Sequence, residues 1–316
     1  MSNEVNDEFR GRRLLFSHAA ALALLLLVIH ASGCSVRGYA IDRAGDVLAA
    51  SSGSFGADED PDLIRAAAPF SLKLMESILG ETPRHAGLLG ATARGFTQYA
   101  YAFVQQDADL AESQDIEAAR AERHRARRLY YRARDYGLRA LDARHPGFSA
   151  GFAADAARAL QRLSGADADS LYWTMAAWTA AISLSKDSAE AIADLRRVDL
   201  MLDRLRELDP DLDHGALHTF LISYEMARPG ARNPEPQARL HFAEALRLSG
   251  GHKAAPYVAF AEGACVPTGN RREFVRTLGK ALAVDATARP EWRLENTIMQ
   301  RRARWLLSQA DRLFVE

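Results

Sequence analysis

Apolar positions recur at steps of three and four along nearly all of the chain beyond residue 60. The clearest stripe is Leu89, Ala93, Phe96, Ala100 and Phe103, a spacing that predicts a helix over 84–106. Ahead of it the stretch 63–79 predicts another, with Asp60 or Asp62 placed to accept bonds from its first backbone N–H groups. Pro69 inside that stretch predicts a kink, and Gly80, Thr82 and Pro83 carry the chemistry of a turn. Gly87, Gly90, Ala91 and Gly95 lie beside the second stripe and let a neighbouring backbone come close. A helical hairpin of this kind cannot bury both of its faces alone; it calls for further hairpins stacked upon it.

The same period continues. Helices are expected over 116–144, 148–163, 170–184, 188–208, 213–227, 237–248, 256–264, 271–284 and 291–314, with a polar connection over 107–114. His145-Pro146-Gly147 stops the long helix, and Asp209-Pro210 and Gly250-Gly251 close two others. About eleven helices and no strand are expected on this basis, an all-α chain. Within them, Ala238, Phe242, Ala245 and Leu246 match the small-aromatic-Ala-apolar spacing of tetratricopeptide repeats. Leu278, Ala281 and Leu282 repeat its second half close to the roughly 34-residue period. Val198, Leu202 and Leu205 form a degenerate copy, and Trp173, Ala176, Ala177 and Ala180 resemble a first helix. The expected architecture over 61–316 is therefore a stack of antiparallel helical hairpins, a degenerate tetratricopeptide-like superhelix, with an unrelated helical bundle as the alternative.

The first 60 residues depart from this pattern. Arg10, Arg12 and Arg13 precede an apolar run over 19–29, too short to span a bilayer comfortably, and then Ala31-Ser32-Gly33-Cys34. Small residues before a cysteine at this place resemble a bacterial lipobox. The expectation is a lipoprotein signal peptide over 1–33, lipidation of Cys34, and a flexible tether over 34–60; an ordinary signal peptide with a chance cysteine is the alternative. Ser35 after the cysteine resembles the pattern sorted to the outer membrane, so the expected location is the periplasm, anchored by lipid to the outer membrane.

Composition narrows the chemistry. The 316 residues are 48% hydrophobic and 26% charged with net charge −1, so no global field gathers nucleic acid. Phosphate loops, nucleophile elbows and His-Glu-x-x-His are absent, and no enzyme and no cofactor are expected. His214 and His218 are spaced to share a helix face, but no third ligand completes a metal set. Cys265, ending an apolar helix, reads as a packed thiol. In the arginine-rich helix, Arg123, Arg127, Arg128 and Arg132 are candidates for docking a partner, against the plainer reading of a solvated face. Phe96, Tyr99, Tyr101, Phe103, Tyr172, Trp173, Trp178, Tyr224 and Tyr257 lie in or near helices that would line the concave face of a superhelix. They are candidates for lining a ligand channel, against the plainer reading of core packing.

Longer segments carry a resemblance. PDLIRAAAPFSLKLMESIL, GLLGATARGFTQYAYAFVQQDAD, YYRARDYGLRALDARHPGF and LYWTMAAWTAAISLSKD resemble the T component of the TRAP-transporter-associated proteins, TatT, from about Pro61 to the C-terminal helix. The resemblance implies a periplasmic lipoprotein of helical hairpins with a channel through the protomer. It also implies a homotrimer and association with the substrate-binding P component of a tripartite ATP-independent periplasmic transporter. The implied role is delivery of a ligand, hydrophobic or an organic acid, to that system. The alternative is a generic tetratricopeptide scaffold for envelope assembly that binds peptide segments.

Overall fold

A computed structural model describes residues 39–50 and 55–314. Cys34 and the segment 1–33 lie outside the described residues. Among the described residues every regular element is helical and none is a strand. Within the stretch expected as a tether, residues 39–50 form a helix, α1. Its anchor is His85, whose Nδ1 accepts the Leu88 N–H at 3.1 Å and so caps the helix that begins there. That leaves Nε2 as the protonated nitrogen, which donates to the Asp42 carbonyl at 3.2 Å.

Helix α2 (Pro61–Glu81) begins as its sequence dictates: Asp60 accepts from the Asp62 and Leu63 N–H groups, and Pro61 fills the first turn, where no donor is needed. Pro69 does not end it. The helix runs through that position, with Ile64, Ala68, Leu72, Met75 and Leu79 buried on one side. Next comes a continuous rod in three parts: α3 (Ala86–Tyr99), a wide π-helical turn (Ala100–Gln105) and α4 (Gln106–Ala111). All five residues of the Leu89 to Phe103 stripe are buried. The expected polar connection is thus mostly helix, and the break falls just before Asp115, which caps α5 (Ile116–Arg144) by accepting from Glu117 and Ala118.

Helix α5 is the spine. Its buried side is Ala119, Ala126, Tyr130, Ala133, Gly137, Ala140 and Leu141, and the alanines and glycine among them admit α3 on one flank and α8 (Ala168–Ser183) on the other. Two expected helices are each divided by an aspartate. Asp155 ends α6 (Phe148–Ala154) and caps α7 (Ala156–Leu160). Asp194 separates α9 (Ala189–Ala193) from α10 (Leu195–Leu208) and accepts from Trp178 Nε1 at 3.2 Å. Asp155 accepts from the Arg158 N–H, and a short polar side chain that bonds its own following backbone competes with helix propagation; the Asp194 carboxylate instead holds the Trp178 and Arg197 side chains.

The second half continues with α11 (Leu212–Ala227), α12 (Pro234–Ser249), α13 (Ala255–Phe260) with a second wide turn (Ala261–Cys265), α14 (Arg271–Leu282), α15 (Arg293–Ser308) and α16 (Ala310–Leu313). Neighbours in sequence pack in space: α11 on α12, α13 on α11 and α14, and α14 on α15. The tetratricopeptide positions Ala238, Ala245, Leu278 and Ala281 are fully buried at these crossings. Finally α15 returns to α2, and Arg301 grips Asp62 through two bonds of 3.1 and 3.2 Å. The last hairpin therefore meets the first along a seam.

Candidate functional site

The seam encloses a cavity of about 200 Å³, walled by α2, the wide turn with α4, and α15. Pro61 and Arg65 come from α2; Ala102, Phe103, Gln106, Asp107 and Leu110 from the turn and α4; Ile298, Arg301, Arg302 and Trp305 from α15. A π turn inserts an extra residue and rotates the helix beyond it, and such turns concentrate at functional sites. Here two of them flank one cationic group. Tyr101 projects from the first and Glu262 from the second, and both face Arg302.

Arg302 is 7% exposed and stacks over Trp305, its guanidinium carbon 4.2 Å from the ring centre. It pairs with Glu262 and lies 2.9 Å from an Asp109 carboxylate oxygen. Burial opposes its charge, but Glu262, Tyr101 and Asp109 outweigh burial and hold it firmly protonated. Burial of the Tyr101 hydroxyl, reinforced by Glu262, pushes that group up to about 12, although the ring itself is 37% exposed. Arg65 pairs with Asp107 and lies over the Phe103 ring, 5.0 Å from its centre. Two buried donors lack a well-aligned hydrogen bond. Gln106, 8% exposed, reaches the Tyr101 hydroxyl with its side chain, although Nε2 makes no well-aligned hydrogen bond. Arg302 Nη1, for all its closeness to Asp109, makes no aligned hydrogen bond.

A second, more open groove lies between α10, α11 and α12 and is lined by Arg206, Glu225, Arg228, Gly230, Arg232, Gln237 and His241. Beside it His241 and His218 approach Nδ1 to Nδ1 at 2.9 Å, one nitrogen donating and the other accepting. His214 does not share their face. Asp213, His214 and Gly215 adopt left-handed backbone angles, with φ of 45°, 54° and 94°, which turn His214 away to meet Trp292 edge-on. The expected His214 and His218 pair is thus not formed, because the backbone between them is not regular helix. Among the described residues no group of three or more His, Cys, Asp or Glu could hold a metal ion.

The aromatic candidates are dispersed. Phe103 lines the seam cavity, and Tyr101 sets its hydroxyl beside it. Phe96 is buried and stacked on Tyr136 at 6.0 Å. Tyr99 is half-buried between clusters and accepts from Arg125 at 3.3 Å. Tyr172 and Trp173 meet edge-on at 5.1 Å, far along α8 from the seam. Trp178 packs against Phe152, Tyr224 stacks on Phe220 and bonds Asp199, and Tyr257 meets Phe242. Of the arginine candidates, Arg123 binds Asp109 and Glu112, and Arg132 binds Glu76 and covers Phe96. Arg128 contacts His124, while Arg127 has no ion pair among the described residues.

Sequence reasoning missed Arg65, Gln106, Arg302 and Trp305. A signal was present for one of them: Ile298, Met299, Arg302, Ala303 and Leu306 share one helical stripe, so Arg302 is a charge at an apolar position. Such a group is kept only where partners await it.

No helix among the described residues is long and apolar enough to cross a membrane. Comparison with known sequences bears on the whole stack. A family model described as TRAP transporter T-component matches residues 57–314. A protein of Treponema pallidum (strain Nichols), described only as uncharacterized, is 30% identical over 267 residues, 83% of this chain and 83% of that one. The helical stack, from before α2 to α16, is thus the part the family shares, and the chain belongs to the TRAP transporter T-component family, accessory components of these transporters and not a family of enzymes.

Proposed function

We propose that the protein is a ligand-binding accessory subunit of a tripartite ATP-independent periplasmic uptake system, and that the seam cavity is where it holds the ligand. The observation that carries this is the cavity itself, lined by Phe103, Gln106, Ile298 and Trp305 beside a helix interrupted by a wide turn. Phe103 and Tyr101 then supply the aromatic side of the site, and membership of a transporter accessory family gives it a purpose. In the same reading Cys34 carries lipid and holds the protein on the periplasmic face of the outer membrane, the protomers assemble as a trimer, and the substrate-binding P protein is the partner. Arg127 and Arg128, less engaged internally than Arg123 and Arg132, are the docking candidates on α5.

The test uses the mature protein with Cys34 replaced. Light scattering is expected to give the mass of a trimer, and titration with the P protein of the same system is expected to give a saturable complex that Arg127→Glu weakens. A monomer that binds no P protein, and that captures envelope-assembly proteins instead, would overturn the reading in favour of a peptide-binding scaffold.

A further inference from the structure

The open groove between α10, α11 and α12 gathers arginines from three places in the chain. It measures about 600 Å³ and shares no lining residue with the seam cavity. Glu225, 4% exposed, gives one oxygen to Arg206 at 3.3 Å and the other to Arg228 at 2.8 Å, which sets the two guanidinium groups around one carboxylate. The chain then turns at Pro229-Gly230, where Gly230 has φ of 73°, and Arg232 comes to line the same groove. Arg232 is exposed and has no ion pair among the described residues. Arg228 meets Glu225 through Nε alone, so both of its Nη groups remain for water or a ligand. Arg206 is more engaged, since its Nη1 also meets the exposed Asp203 at 3.3 Å. Gln237 adds a neutral amide, and His241 is uncharged at neutral pH. Three guanidinium groups against Glu225 and Asp203 leave one net positive charge and a surplus of N–H donors.

We propose that this groove is a second binding site, and that it takes a phosphomonoester, with the phosphoryl group seated against Arg228 and Arg232 and Arg206 at its edge. A guanidinium fork meets an oxyanion through parallel N–H bonds. A carboxylate has two oxygens and one charge to offer such forks. A phosphomonoester has three strong acceptor oxygens and a charge of about −1.5 to −2 at neutral pH, so it can engage all three arginines. A cationic ligand would meet three guanidinium groups while the Glu225 carboxylate is hardly reachable. Glu225 is thus a positioning residue: it holds two of the arginines in place and leaves their outer edges to the anion. Because the groove is open to water, salt screens the attraction. A soluble phosphate ester and a lipid headgroup present the same phosphoryl group here. The proposal is independent of the seam cavity, and either site stands if the other fails.

The probes are glycerol 3-phosphate, acetate, and vesicles of phosphatidic acid or of phosphatidylcholine, offered to the whole mature protein with Cys34 replaced. Calorimetric titration at constant ionic strength is expected to show saturable binding of glycerol 3-phosphate, about tenfold tighter than acetate and weakened by added salt. Arg232→Gln touches no ion pair and is expected to weaken that binding about tenfold, the loss of one charge-assisted contact. Arg232→Lys, which keeps the charge without the fork, is expected to fall between. Arg272→Gln removes an exposed charge from α14 instead and is expected to leave binding unchanged. Thermal melting confirms that each variant is folded. Flotation with phosphatidic acid vesicles, absent with phosphatidylcholine and lost in Arg232→Gln, reads the lipid source. Glycerol 3-phosphate binding without flotation assigns a soluble ester, flotation without it assigns a headgroup, and both uphold the proposal. If acetate binds as tightly as glycerol 3-phosphate, the phosphoryl assignment is overturned. If Arg232→Gln changes nothing, or Arg272→Gln weakens binding as much, the anion is not held in this groove. If neither glycerol 3-phosphate nor phosphatidic acid binds, the groove is no phosphoryl site and the proposal falls.

Discussion

Replacing Gly137 by alanine sets two effects of opposite sign against each other. In an exposed helix the change would stabilise by about 1 kcal/mol, since glycine is the poorer helix former by that amount. Gly137, however, sits where α5 crosses α8. A Cβ built there would lie 2.9 Å from the Cβ and 3.2 Å from the Cα of Thr174, and closer still to its hydroxyl. Thr174 is fully buried, and its hydroxyl donates to the Ser170 carbonyl at 2.6 Å, so no rotation relieves the clash without breaking that bond. Overpacking of this kind costs about 1–3 kcal/mol, here at the upper end because a backbone atom is involved. The unmet hydroxyl adds about 1 kcal/mol. The net expectation is a loss of about 2–3 kcal/mol, read from urea unfolding tracked by far-ultraviolet circular dichroism. Gly279→Ala is the matched control. It lies on the exposed side of α14, with nothing within 4 Å of its Cβ, and is expected to gain about 0.5–1 kcal/mol. If Gly137→Ala proves as stable as the parent or more so, the close crossing of α5 and α8 is wrong, and with it the role of α5 as spine.

Further expectations can be checked on the same material. Arg302→Met keeps the stem on Trp305 but strands Glu262 and half of Asp109; with Glu262 38% exposed the loss is about 2–3 kcal/mol in urea unfolding, whereas Arg301→Ala, an exposed pair, costs under about 1 kcal/mol. His241 is held down to about 4 by burial and by His218, below its ordinary 6.5. The unfolded chain therefore takes up the proton first, and stability falls as pH drops from 6.5 towards 4. Half-burial limits the effect to no more than about 2 kcal/mol, and His241→Gln is expected to flatten that part of the pH profile relative to the parent. Burial pushes the Cys265 thiol up to about 12, so in Cys34-replaced protein at pH 8 a thiol reagent is expected to label it only after addition of denaturant; rapid native labelling would contradict its burial.

How far the sequence foretold all this depended on range. Helix α5 begins and ends where periodicity and the His145-Pro146-Gly147 signal put it, and the Leu89 to Phe103 stripe is buried throughout. Those are local facts, carried by spacing. The breaks at Asp155 and Asp194 were missed because a helical period runs across them; at Asp155 the carboxylate's bond to the Arg158 N–H decides, and at Asp194 the carboxylate is held by the Trp178 and Arg197 side chains. The wide turn at Ala100–Gln105 leaves no mark in the apolar spacing, since its extra residue is absorbed without a polar signal. The cavity was the least legible part. Its walls are 239 residues apart at the Asp62 and Arg301 pair, and no pattern within either helix says that the two will meet. Tyr99 and Tyr101, two residues apart, cannot share a helix face, and the spacing alone did not say which of them meets a cavity; Tyr99 lies with Arg125 and Tyr101 beside Arg302.

The return of α15 to α2 changes the order in which this protein can become itself. A linear repeat array can start folding at any unit and spread, because each unit needs only its neighbours. The seam has no neighbours in that sense: Arg301 and Arg302 find Asp62 and Asp109 only after the intervening hairpins have set the curvature. Loop closure over such a span is entropically late, so the junction is the natural last event of folding. It is also the natural first place to part in the native state, opening without loss of the rest. Amide exchange in α15 and the first turns of α2 would then be faster than in α5, and a ligand held across the junction would slow it. Binding and completion of the fold become one event.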